Sequence, residues 1–288
     1  MKIPAIIHNY IELTKPRILS LILVTTTLGF FLGGKGIHDW WLLIFLLTGA
    51  AMVCAGAGVR NHYLERDIDC KMARTKNRPI PRGMIHPANA VSFGLLLTLA
   101  GLTILVTKVN LLTAFLSILT SFLYVLVYTP MKKISWLNTT IGSIPGAIPP
   151  MGGWAAATGN LDWGAWILFL ILFIWQHPHF YAIAWMFKED YGKAGLKMLP
   201  VIEPDGKSTF NQILWYSLAL IPASLLPTMI GMSGKVYFLG ALVAGIIFYI
   251  YGKRLAASHS MADARNLLKA SVIYLPALLL LIVLDVSF

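Results

Sequence analysis

Residues 40–83 read WWLLIFLLTGAAMVCAGAGVRNHYLERDIDCKMARTKNRPIPRG, and the two halves of that line obey different physics. The stretch 40–59 carries no charge, whereas 61–82 holds three carboxylates (Glu65, Asp67, Asp69) and six basic side chains (Arg66, Lys71, Arg74, Lys76, Arg78, Arg82). An uncharged run of that length is a membrane crossing, so the charge cluster directly behind it marks the membrane border. If the crossing helix continues past the bilayer, Asn61, Glu65 and Asp69 fall at i, i+4 and i+8 on one face. They then stand about 6 Å apart along the axis at each step, and Asp67 points away. Oxygen ligands so spaced suit Mg²⁺, which commonly takes one or two carboxylates and leaves its other positions to water and phosphate oxygens. Arginines alongside can fork onto phosphate. The segment therefore reads as a site for a diphosphate bridged to the protein through Mg²⁺. The competing reading is an interfacial charge cluster that fixes topology and solvates a loop.

The rest of the chain repeats the apolar half of that pattern. Of 288 residues, 57% are hydrophobic and 12% charged, and the mean hydropathy is +0.72; an average soluble domain carries about 25% charged residues. Runs long enough to cross a bilayer lie at 18–34, 40–59, 88–107, 111–128, 138–157, 163–187, 213–232, 236–251 and 267–284. The expected fold is thus all-α, a polytopic membrane protein of nine transmembrane helices forming one domain over 1–288. The net charge of +11 does not signal nucleic acid, because 20 of the 23 Lys and Arg fall in alternate connections and only Lys35, Lys108 and Lys235 in the others. By the positive-inside rule the N-terminus is cytoplasmic and the C-terminus outside. The first residues show neither a cleavable signal nor a transit peptide, which points to a bacterial inner membrane. Cys54 and Cys70 form no CxxC or Cys/His cluster, so zinc and dithiol redox chemistry are not indicated.

Along the chain, Lys15-Pro16-Arg17 opens the first span, either as a topology anchor or as a substrate contact. The connection YTPMKKISWLN brings Tyr128, Lys132, Lys133 and Asn138 to the same membrane face as the acidic row. The fifth span carries Pro145, Pro149 and Pro150 among four glycines, the composition of a kinked helix lining a cavity. The sixth holds Gln176, His177 and His179 at depth, where polar groups face the bundle interior; His179 is read either as a haem-iron ligand or as a histidine bonded to a neighbouring helix. The loop after it carries Glu189, Asp190, Glu203 and Asp205 and, four spans from the Asn61 segment, is expected to face that segment across a cavity mouth.

These residues, taken in order, resemble the UbiA-type intramembrane prenyltransferases and, within them, the haem O synthases. The resemblance rests on LTKPRI (13–18), the Asn61 segment continuing as RDIDCKMARTKNRP, YT and KK with Asn138, GAIPPMGGW (146–154), WQHPHF (175–180) and DYGKAGLKMLPV (190–201). It implies a bundle around a central cavity open to the cytoplasm, and transfer of the farnesyl group of farnesyl diphosphate to a vinyl group of haem b. It further implies Mg²⁺ on Asn61, Glu65, Asp69 and Asp190, with Arg66 and Lys132 acting beside it. Lys15, Arg17, Arg74, Arg78 and Lys133 would contact substrate, as would Tyr128, Asn138, Gln176, His179 and Tyr191. Tyr63, Tyr128, Trp154 or Phe180 would face the allylic cation. Haem A synthase and terminal-oxidase assembly are the implied partners besides the lipid bilayer. Two departures stand out: Glu65 replaces the family's usual aspartate, and Ala194 stands four residues after Asp190, where relatives acting on benzoates or quinones pair carboxylates. The competing functions are prenyl transfer to a quinone or chlorin, and secondary transport through Pro/Gly-broken spans.

Overall fold

The computed structural model describes residues 5–287; Lys2 of the N-terminal tail and Phe288 lie outside them. The elements are α1 (Ala5–Leu13), α2 (Pro16–Gly33), α3 (Trp40–Asp69), α4 (Pro87–Lys108), α5 (Leu111–Phe122), a π-helical segment (Leu123–Tyr128) and α6 (Thr129–Ile134). There follow α7 (Asn138–Ala147), α8 (Pro149–Thr158), α9 (Trp163–Met186), α10 (Lys188–Lys193), α11 (Leu199–Ile202), α12 (Lys207–Met229), α13 (Lys235–Ser258) and α14 (Met261–Leu284).

Among the described residues eight helices are long and apolar enough to cross a membrane, counting Leu111–Ile134 as one. The ninth expected span is instead two ten-residue helices in tandem, α7 and α8, parted at Ile148. Pro149 and Pro150 cause the break: proline lacks the N–H that a continuous helix requires, and its ring crowds the carbonyl four residues back. Each half is about 15 Å long, so the crossing takes both. The start signals elsewhere are ordinary caps, with Asp39 accepting from the Leu42 N–H at 2.9 Å and Asn110 from the Thr113 N–H at 2.8 Å, as N-capping side chains do.

Two groups of helices share α9 as their seam. On one side α3 lies along α4, and α2 along α8; on the other α9, α12, α13 and α14 close a ring of neighbours. Close approach in the first group depends on missing side chains. A Cβ on Gly56 would strike the Gly94 carbonyl and Thr98, one on Gly101 the Gly49 carbonyl, and one on Gly153 the Thr26 carbonyl. Small residues of this kind let membrane helices pack backbone to backbone. The large apolar core is centred on the second group, at Leu168, Ile213, Leu220, Phe248, Leu267 and Leu278, and continues past α9 to Leu28, Leu116 and Met151 of the first. The α3–α4 pairing at Gly56 and Gly94 seats the turn before Asn61 against α4.

Candidate functional site

The helix α3 does continue past the apolar run, for ten residues beyond Val59 to Asp69. Asn61, Glu65 and Asp69 are all buried on one face, at 0%, 7% and 0% exposure, while the Asp67 side chain is 78% exposed and meets only Arg66, at 3.7 Å. Buried carboxylates need compensating charge, and each member of the row finds a cation from a different segment. Lys15 Nζ donates to Asn61 Oδ1 at 2.5 Å, Lys132 Nζ to Glu65 Oε1 at 2.6 Å, and Arg78 Nη1 to both Asp69 oxygens at 2.8 and 2.7 Å. Arg78 Nη1 also stands 3.9 Å from Glu65 Oε2.

Local backbone explains how those cations arrive. Lys15 adopts the left-handed conformation, φ 55° and ψ 59°, immediately before Pro16, a costly state for a side-chain-bearing residue that persists where surroundings hold it. Here the hold is its bonds to Asn61 and to the Tyr124 hydroxyl at 3.0 Å. Burial lowers the Lys15 ammonium to about 7, against the upward pull of the Glu65 carboxylate. On the opposite wall the Leu123–Tyr128 segment widens into a π-helix, closed by the Thr129 N–H on the Tyr124 carbonyl; such bulges gather at functional sites. It stacks Tyr124 on Tyr128, ring centroids 5.8 Å apart, and sets Lys132 Nζ 4.4 Å from the centre of the Tyr128 ring. The Thr129 hydroxyl accepts from the Asn61 amide at 2.8 Å. Two tyrosine faces thus lie beside the acidic row.

The structure gathers Lys15, Asn61, Glu65, Asp69, Arg78, Tyr128 and Lys132, and adds Tyr124 and Thr129, which the sequence reading passed over. Tyr124 was visible as the aromatic one helical turn before Tyr128; Thr129 carried no signal. The other expected contacts lie elsewhere. Arg17 is exposed, and Arg66 lies over the Tyr63 ring at 4.4 Å on the outer side of α3. Lys133 lines an outward groove of about 300 Å³ with Leu64, Ile68, Pro130 and Ile134. Arg74 sits 5.6 Å from the Phe187 ring near Tyr191, whose hydroxyl is raised by burial against the charge of Arg74. The loop after α9 does meet α3, but through Ala194, Leu196 and Met198 packed on Ile68 and Met72; Asp190, on α10, makes no side-chain bond or ion pair to the row. Asn138 ties α7 to that loop through the Lys197 carbonyl at 3.0 Å. Gln176 donates to the Ser143 carbonyl at 3.2 Å and fills the space over Gly146. His179 bonds the Ser271 hydroxyl on α14 at 2.7 Å and stacks on Trp175, a helix-to-helix clamp.

Among the described residues no three His, Cys, Asp or Glu side chains converge on a metal-sized point. A cation held here would draw on the Asn61 carbonyl oxygen, the Glu65 and Asp69 carboxylates and ligands from outside the protein. That hard, part-filled oxygen set suits Mg²⁺ carrying phosphate, and the three ammonium and guanidinium groups now stand where its positive charge is needed.

A model described as the UbiA prenyltransferase family matches residues 22–274. The chain is 46% identical over 287 residues to the protoheme IX farnesyltransferase of Solibacter usitatus, covering 96% of this chain and 98% of that protein. It is 40% identical over 293 residues to that of Koribacter versatilis, covering 98% and 94%. Its fold matches a solved structure concerned with digeranylgeranylglyceryl phosphate synthase, with TM-score 0.83, 19% identity, and 97% and 98% coverage. It also matches a UbiA homolog from Archaeoglobus fulgidus bound to DMAPP and Mg²⁺, with TM-score 0.71, 14% identity, and 96% and 99% coverage.

Proposed function

The chain belongs to the UbiA prenyltransferase family, and from that premise we propose that it transfers the farnesyl group of farnesyl diphosphate to a vinyl group of haem b. The observation that carries the reading is the buried row of Asn61, Glu65 and Asp69, each partnered by a cation from a separate segment. In the reaction the bond from farnesyl C1 to oxygen breaks and its electron pair leaves with diphosphate. The vinyl π electrons then form the new carbon–carbon bond, and water captures the resulting cation with loss of one proton, giving haem O.

Asn61, Glu65 and Asp69 would hold Mg²⁺, which when bound neutralises charge developing on the leaving diphosphate. Lys132, Arg78 and Lys15 exchange carboxylate and amide oxygens for phosphate oxygens, which bind them as well and keep the site's charge balanced. The stacked faces of Tyr124 and Tyr128 lie where an allylic cation gains from ring quadrupoles, and the apolar spans around them exclude water. The protein is a multi-pass membrane protein. We place it in a bacterial inner membrane with its N-terminus in the cytoplasm, on the distribution of Lys and Arg along the sequence.

The deciding assay combines purified protein, haem b, farnesyl diphosphate and Mg²⁺ and weighs the haem product by mass spectrometry. A mass gain of farnesyl plus hydroxyl is expected. Alkylation of a quinone or chlorin in parallel reactions, with haem left unchanged, would overturn the acceptor assignment.

A further inference from the structure

Every polar member of the row is satisfied, yet the residue beside Asn61 is not. His62 is 3% exposed, and among the described residues neither ring nitrogen has a hydrogen-bond partner. Buried polar groups are almost always paired, and an orphan next to a site calls for an explanation. The other buried side chains left unpaired among the described residues, Tyr181, Thr209, Ser217 and Tyr237, belong to α9, α12 and α13, in the second group of helices. His62 alone stands on α3.

Its placement on the helix is informative. His62 and Asp69 are seven residues apart, so on a regular helix they lie within about 20° of each other, two turns apart. Gly58, one turn before His62, closes against the Leu13 and Thr14 carbonyls, which a Cβ there would meet at 3.3 Å. The neighbouring wall is therefore the junction that carries Lys15. The charges that reach the imidazole are those of Lys15, Arg78 and Glu65. A neutral imidazole offers one N–H donor and one acceptor nitrogen. Near two cations already engaged with the row, the donor has no partner among the described residues, and an anion entering the site would supply one.

We infer that His62 is a further substrate-contacting residue, donating a ring N–H to an oxygen of the diphosphate; this rests on the diphosphate reading of the site. An orphan retained for a ligand has a signature that a packing residue lacks. Replacing a buried unpaired group by an apolar one of similar size is neutral or stabilising for the fold, so His62→Leu separates stability from binding.

Inorganic pyrophosphate with Mg²⁺ is titrated calorimetrically into wild type, His62→Leu and His62→Gln. Binding about ten- to a hundredfold weaker is expected for His62→Leu, the range for losing a hydrogen bond to a charged group, with Tm unchanged or higher. His62→Gln, which keeps an N–H donor, should recover part of the loss. In wild type carrying ¹⁵N-labelled histidine, one ring-nitrogen resonance should move on adding pyrophosphate, a measurement that needs no variant to fold. Equal pyrophosphate affinity in wild type and His62→Leu, or no moving histidine resonance, overturns the role. A variant that loses haem affinity while keeping pyrophosphate affinity also overturns it, since the donor would then serve an acceptor carboxylate. Failure of wild type to bind pyrophosphate at all would sink the diphosphate reading itself.

Discussion

The charge at Glu65 and Asp69 is what distinguishes this part of α3 from scaffold, and removing it one atom at a time is the sharpest test. Glu65→Gln and Asp69→Asn should each lower turnover about a hundredfold or more, since a lost ligand forfeits several kcal/mol of charge stabilisation and about 1.4 kcal/mol is a factor of ten. Asp67→Asn, whose carboxylate is 78% exposed, should leave turnover within a few-fold in the same steady-state assay. Lys132→Met leaves the Glu65 carboxylate buried without its nearest counter-charge and should cost about 3 kcal/mol, read as a fall in Tm in detergent. The double variant Lys132→Met with Glu65→Gln should regain most of that Tm without regaining turnover. A recovery of both would mean that the pair is structural only. His179 matches the second of its two sequence readings, a histidine bonded to a neighbouring helix: with Ser271 and Trp175 as partners, His179→Ala should cost about 1 kcal/mol of stability and keep haem affinity, measured by absorbance titration. The face shared by Asn61, Glu65 and Asp69 was legible because helical spacing is local. Which of two adjacent lysines turns inward was not, because Lys132 points at Glu65 only through the fold that brings α6 to α3.

At the scale of elements, the π-helical turn and the α7–α8 break are the two departures from regular helix, and only one announced itself. Prolines 149 and 150 advertise the break in any reading. Nothing in LYVLVY distinguishes a π-turn from an α-turn, since the wider register is chosen by what Tyr124, Thr129 and Lys132 bond to. Inserting one alanine after Leu126, 58% exposed on this segment, adds a residue beyond the one that the π-turn already absorbs and should swing Tyr128 and Lys132 by about 100° relative to Tyr124. Far-UV circular dichroism should then stay near wild type while turnover falls about a hundredfold or more, the scale set by losing Lys132 from Glu65. A fully active insertion would show that the register of this segment does not position the site. The helix ends were the least readable feature. The α3 helix runs ten residues past its apolar run, α12 starts six residues before its own, and α13 ends seven residues after its own, because hydropathy stops at the bilayer and hydrogen-bonded backbone does not.

Across the whole molecule, the nine apolar runs located the membrane helices, eight long and apolar enough to cross among the described residues and, at the fifth run, two short helices in tandem. With α7 and α8 together as a ninth crossing and the N-terminus cytoplasmic, as proposed above, the C-terminus would lie outside, so a C-terminal phosphatase fusion should be active and a C-terminal fluorescent reporter dark. A reporter that fluoresces only in the cytoplasm would reverse the assignment. Packing of the two helix groups about α9 was not legible, since it depends on which glycine meets which carbonyl, as with Gly56 and Gly94.

The extension of α3 beyond its uncharged run has a consequence for loading. Asn61 through Asp69 begin two residues after that run ends, so with the run in the bilayer the row would start at the headgroup border. An amphiphile with an anionic head and a long apolar tail already floats at that depth and in that orientation. On the function proposed above, such a substrate would reach the site by sliding sideways in its own leaflet, without flipping and without dragging its charge through oil, and the search for the site would run in two dimensions.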